Sequence, residues 1–129
     1  MEEMFIYNIN ETSEEKPASL TGATPRELAD AVAAILDNKK AHDVKVIAME
    51  GKTDICDFMV LATGNSSTHV QALGGEVDYQ MERRDITPLH IEGRDNNAWI
   101  VLDYSHVMVH IFTRETREFY NLEKLYGED

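Results

Sequence analysis

His106 and His110 stand four residues apart, the spacing that sets two imidazoles over one metal ion on a helix. They lie, however, in the alternating run His106-Val107-Met108-Val109-His110-Ile111-Phe112, which predicts a strand. On a strand the two rings are about 13 Å apart along one face, too far for one zinc ion whose ligand bonds are ~2 Å. His110 is instead expected to be a half-buried, hydrogen-bonded histidine. Asp54 and Asp57 are three apart and point to opposite faces of a strand. Asp54 reads as a turn residue, and Asp57 as a structural carboxylate that caps a backbone group or pairs with a cation. Gly64-Asn65-Ser66-Ser67 falls where a strand gives way to a helix, and helix N-termini offer free N–H groups to phosphate. The full GxxxxGK[ST] loop and its lysine are missing. Cys56 is the single cysteine, so no intramolecular disulfide forms, and with no basic sequence neighbour it is expected to be a buried, inert thiol. No spacing assembles a nucleophile, a base and an acid, and no metal or cofactor is expected.

Binding chemistry is better represented. Trp99, the only tryptophan, shares one face of a predicted strand with Val101 and Asp103, while Ile100, Leu102 and Tyr104 share the other, the natural core face. Trp99 and Val101 then form either an apolar anchor beside a carboxylate, as in interface hot spots, or core beneath a terminal helix. The pattern alone does not choose. Charge narrows the partner. Among 129 residues, 12 Lys and Arg face 24 Asp and Glu, a net charge of −12, and the pI is about 4.7. Such a field repels nucleic acid and anionic lipid and attracts basic proteins. No apolar run reaches the ~20 residues of a membrane helix. No basic-then-apolar signal peptide opens the chain, so a cytoplasmic location is expected.

The elements that must position these residues are legible in order. Residues 1–22 form an acidic arm, expected to be flexible, with Glu2, Glu3, Glu11, Glu14 and Glu15 against Lys16. Within it Phe5-Ile6-Tyr7-Asn8-Ile9 reads as a short strand or docking segment. Residues 23–129 form one domain. Thr24-Pro25-Arg26-Glu27 is a helix start with a capping box and proline at the first position, and Leu28, Val32, Ile35 and Leu36 follow as its apolar stripe. Strands are predicted at 44–49 and 55–63, the second apolar on both faces and therefore central. A helix capped by Asn65 or Ser66 buries Val70, Leu73, Val77 and Met81, with Gly74-Gly75 inside it as a close-packing contact or a kink. Strands at 86–91, 99–104 and 106–112 follow, and Thr113 caps a last helix anchored by Phe119, Leu122 and Leu125. The order α-β-β-α-β-β-β-α predicts an α+β fold, a single mixed β-sheet flanked by helices. Strand 2, helix 2 and strand 3 are read as one crossover unit.

Several of these stretches together resemble the Iojap-like ribosomal silencing factors. They are Asp57-Phe58-Met59-Val60-Leu61-Ala62-Thr63-Gly64-Asn65-Ser66-Ser67-Thr68-His69-Val70, Glu92-Gly93 followed by Ala98-Trp99-Ile100-Val101-Leu102-Asp103-Tyr104, His106-Val107-Met108-Val109-His110-Ile111-Phe112, and Arg117-Glu118-Phe119-Tyr120-Asn121-Leu122-Glu123-Lys124-Leu125-Tyr126. The likeness runs from Thr24 to Gly127. It departs at Ser105-His106, where the family usually has Gly-Asp, at Gly74-Gly75, and at Tyr126, commonly Trp. The resemblance implies a nucleotidyltransferase-like fold without that activity. It implies binding to the large ribosomal subunit through its ribosomal protein number fourteen, obstruction of small-subunit joining and repression of translation. Organellar relatives act in large-subunit assembly, which is the alternative role, and a homodimer is compatible with the family. On this reading Trp99 and Val101 are the apolar anchor, Asp103 and Glu92 meet basic groups on the partner, and Tyr104 supports the hairpin or joins the contact. A metal-dependent nucleotidyltransferase is the remote alternative. It lacks the second acid of a D-x-D pair at Asp103-Tyr104-Ser105, and Asp54 and Asp57 have the wrong spacing.

Overall fold

The computed structural model describes residues 16–95 and 98–127. Thr24 starts the first helix, α1 (Pro25–Asn38), through a complete capping box: its hydroxyl accepts from the Glu27 N–H at 3.1 Å, and the Glu27 carboxylate accepts from the Thr24 N–H at 2.9 Å. The chain then forms β1 (His42–Ala48), β2 (Phe58–Gly64), α2 (Ser67–Glu82), β3 (His90–Glu92), β4 (Trp99–Asp103), β5 (Val107–Thr113) and α3 (Arg114–Tyr120), and ends in a π-helical turn, Glu123–Gly127. The five strands make one mixed sheet in the order β1-β2-β5-β4-β3, in which only β2 and β5 are parallel. This is the expected α+β architecture. Met59 to Gly64 of β2 are all buried, as a central strand requires.

The crossover through α2 lands at the far edge of the sheet, and β5 takes the place beside β2. Its strand is also shorter than the 86–91 expected. Ile86 N–H bonds back to Met81 C=O at 3.0 Å, Asp85 turns through φ 71°, and Pro88 has no N–H to give a ladder. Contact with β4 therefore begins only at Leu89, whose N–H donates to Asp103 C=O at 2.7 Å, and the strand at His90. Ser66 is the cap of α2, accepting from His69 N–H at 3.1 Å. Gly74 is a close-packing contact, because a Cβ there would lie 3.0 Å from Ile100 Cδ1, whereas Gly75 faces open space.

Two cores flank the sheet. On one face α1 and α2 pack Val32, Leu36, Val70 and Leu73 against Val60, Ile100, Leu102 and Val109. On the other, Ile47, Met49, Met59, Leu61 and Phe112 form a smaller cluster closed by Leu122 and Tyr126. The last helix differs from expectation. Leu122 packs, but Phe119 and Leu125 are 80% and 67% exposed. Asn121 enters the left-handed region at φ 48° and ends α3 after seven residues, so the helical phase restarts and one periodic stripe cannot run from 119 to 125. Residues 16–20 are strapped to the end of α2: Lys16 pairs with Asp85 at 3.0 Å, Arg84 Nε–H donates to Ala18 C=O at 2.9 Å, and Leu20 N–H donates to Arg84 C=O at 2.8 Å. The rest of the expected arm, 1–15, lies outside the described residues.

Candidate interaction surface

Strand alternation divides β4 cleanly. Ile100 and Leu102 are buried under the helices, and Trp99, Val101 and Asp103 are half-buried on the opposite face. There the register sets Trp99 beside Phe112, Val101 between His110 and Glu92, and Asp103 between Met108 and His90. Trp99 is neither fully exposed nor fully core. The C-terminal segment covers this face, but over β2 and β5, and leaves β4 at its margin. The Trp99 ring packs 5.4 Å from Phe112 and 4.6 Å from Tyr120, and its Nε1–H donates to His110 Nδ1 at 3.1 Å. That bond needs a neutral imidazole, and burial holds the His110 pKa down at about 4.

Beside Trp99 the same face opens into an apolar groove of about 230 Å³, with Met59, Met108 and Cys56 in its floor and Ile55, Leu122 and Tyr126 at its sides. Ile55 is 72% exposed. Acids border the sheet end of this face. Asp103 and Glu92 lie 3.6 and 3.4 Å from His90 Nε2, and Asp57 lies 2.9 Å from His106 Nδ1. Trp99, Val101, Asp103 and Glu92 are thus brought onto one surface. Tyr104 is not: it is 6% exposed in the helix-side core, where burial and the charge of Asp78 raise its phenol pKa. Its backbone closes the β4–β5 hairpin through the N–H bond to Val107 C=O at 2.9 Å. Pattern reasoning placed Leu122 as an anchor but did not assign Met59, Met108 and Tyr120 to this surface. The available signal was Phe119-Tyr120, two adjacent aromatics that one short helix cannot bury together.

The other candidate chemistry resolves into structural roles. His106 is in the turn before β5, not in the strand, and its Nδ1 lies 2.9 Å from Asp57 Oδ2. Cys56 is buried, and burial together with the Asp57 charge raises its pKa, so the thiolate is disfavoured. The α2 N-terminus uses its own donors: Asn65 N–H bonds His69 Nδ1 at 2.9 Å and His69 N–H bonds Ser66. A larger polar cleft, about 520 Å³, lies between β1 and α3. Its buried Arg117 donates to Asp43 C=O at 2.8 Å, to Thr63 Oγ1 at 2.7 Å and to both oxygens of Glu123 at 3.2 and 2.9 Å. Those contacts commit the guanidinium to holding the C-terminal segment.

Residues 22–129 match the family model described as "Ribosomal silencing factor during starvation". The chain belongs to the ribosomal silencing factor family. It is 38% identical over 96 residues to the ribosomal silencing factor RsfS of Bacillus subtilis, spanning 74% of this chain and 81% of that protein. It is 30% identical over 103 residues to the mouse protein named "Mitochondrial assembly of ribosomal large subunit protein 1", covering 75% of this chain and 44% of that one. A crystal structure from Chromobacterium violaceum superposes with a TM-score of 0.78 at 24% identity, over 82% of this chain and 89% of the other, and so shares the fold. The family match begins at residue 22.

Proposed function

We propose that this chain is a cytoplasmic ribosomal silencing factor that binds the large subunit through ribosomal protein number fourteen and keeps the small subunit from joining. The observation that carries this reading is the half-covered sheet face. It presents an apolar groove and Trp99, with Glu92, Asp103 and Asp57 at its margin, on a chain of net charge −12. Apolar anchors supply affinity, and acids steer the domain toward a basic ribosomal protein and away from RNA phosphates. The action is steric and needs no catalysis. A domain of this length is on the order of 30 Å across, enough to hold two subunit surfaces apart. Trp99 and Val101 make the apolar contact, Asp103 and Glu92 the polar one, and Tyr104 supports the hairpin from beneath.

Sedimentation of purified large subunits with added small subunits tests this. The protein should travel with the large subunit and reduce joined ribosomes, and Trp99→Ala should lose both while remaining folded by circular dichroism. Weakened folding with unchanged binding refutes the assignment of Trp99. The name of the mouse relative favours a second reading, large-subunit assembly through the same face. Binding without any effect on joining would select it.

A further inference from the structure

Trp99 and His110 both line the apolar groove, and each carries a ring nitrogen that can donate. The Trp99 Nε1–H is spent within the pair, on His110 Nδ1 at 3.1 Å. A neutral imidazole that accepts at Nδ1 holds its one proton on Nε2, and burial keeps this ring neutral. Trp99 thus fixes the tautomer of His110. His110 is half-buried on β5, between Leu61 and Val101. Its Nε2 has no partner among the described residues, yet the atom is not sealed off. The one side-chain polar atom there that is both buried and unpartnered is the Tyr104 hydroxyl. The opening that His110 lines is the groove.

We propose that His110 Nε2–H is the specificity donor of this groove. The partner segment seated over Met59 and Met108 presents it with an uncharged oxygen acceptor, a carbonyl or a hydroxyl, beside an apolar side chain. The other polar groups of the groove do not select. The hydroxyls of Thr53 and Tyr126 can give or take a hydrogen bond, and the Cys56 thiol is a weak donor engaged with the Met108 backbone. An imidazole held in one tautomer only gives. A lysine or arginine brings donors and no acceptor. In the groove it would set N–H against N–H and leave its charge over methionine. Its place is the margin, where Glu92, Asp103 and Asp57 lie. A basic partner is thereby sorted into cations at the acids and a neutral acceptor at the centre.

The donor stands on the Trp99–His110 geometry, and its use in recognition rests on the reading of this face as the partner site. Nitrogen-15 NMR of the free protein tests the first part. Nδ1 should be unprotonated and coupled through the hydrogen bond to Trp99 Nε1, with the proton on Nε2. Coupling at Nε2 instead, or a proton on Nδ1, overturns the proposal. Purified large subunits are the probe for the second part. In His110→Asn the amide oxygen stands in for Nδ1 and still accepts from Trp99, but nothing reaches the place of Nε2. This variant should keep its circular dichroism and Trp99 emission and bind subunits about tenfold more weakly, as one hydrogen bond left unmade under cover weighs. His110→Gln, whose amide N–H reaches the place of Nε2, should recover part of that loss. Equal binding by wild type and His110→Asn overturns the donor role. So does tighter self-association of wild type than of His110→Asn in analytical ultracentrifugation with equal subunit binding, which puts the acceptor on a second copy. The expected coupling with no subunit binding by wild type supports the donor and sinks the partner reading.

Discussion

Acidification should weaken this fold through one named histidine. His110 accepts the Trp99 Nε1–H on a neutral ring, and burial lowers its pKa from 6.5 to about 4. A lowered histidine pKa means that the unfolded chain binds a proton the native state refuses. The stabilisation is therefore complete above pH 6.5, is lost as pH falls from 6.5 toward 4, and changes no further below 4. At about 1.4 kcal/mol per pH unit the window yields about 3 kcal/mol, a large share of a typical domain's stability. Urea denaturation at pH 7, 6, 5 and 4 measures it. The Glu123 carboxyl, lowered by its hydrogen bond to Arg117, also loses stabilisation in acid, but below its ordinary 4.5. His110→Asn separates the two, because an amide oxygen still accepts from Trp99 and does not titrate. The variant should show a flat profile between pH 6.5 and 5, where wild type slopes. Equal slopes in both proteins would refute the argument that this ring is held neutral by burial.

Four further outcomes follow from particular contacts. Glu123→Gln leaves the buried Arg117 short of its charge partner and should cost about 2–4 kcal/mol in urea denaturation, somewhat below a fully buried pair because Glu123 keeps some water contact. Gly75→Ala should stabilise by up to ~1 kcal/mol through helix propensity. Gly74→Ala should gain less or lose, because its Cβ would press on Ile100, and thermal melts rank the two. Gly93→Ala should be poorly tolerated and melt well below wild type, since φ is +91° and a Cβ would collide with Trp99 C=O. In surface plasmon resonance on large subunits, Glu92→Gln should lower the on-rate and its salt dependence, because Glu92 is a 72% exposed rim charge, while Trp99→Ala should act on the off-rate.

Where local rules acted alone, the sequence was sufficient. Thr24-Pro25-Arg26-Glu27 contains its own capping box, and the apolar run of β2 required cover on both faces. Where distant partners decided, it was not. Whether 86–89 pairs depends on Asp85 and Pro88 closing the helix end first, and the phase of 119–125 depends on the backbone reversing hand at Asn121. Trp99 was undecidable for the same reason. Its burial is set by Phe112 and Tyr120, 13 and 21 positions away in the chain, and by how far the C-terminal segment reaches across the sheet. Tyr104 alternated correctly onto the core face. That placement denies it a contact role and leaves it the hairpin.

The unequal cover of the two sheet faces links these observations. In open α/β sheets, ligands commonly sit beyond the carboxyl ends of parallel strands, which here are Gly64 and Thr113 of β2 and β5. In this chain that position is taken by Arg117, bonded at once to β1, to Thr63 and to Glu123 of the terminal turn. The guanidinium pins residues 121–127 so that Leu122 and Tyr126 form one wall of the groove while β4 stays uncovered. Arg117 does not line the groove itself, yet it holds Glu123 in the segment that supplies the groove wall. Arg117 and Glu123 therefore position the groove wall. A repacked substitute such as Arg117→Met would be expected to keep the sheet while loosening the groove wall, separating the stability of the fold from the shape of its open face.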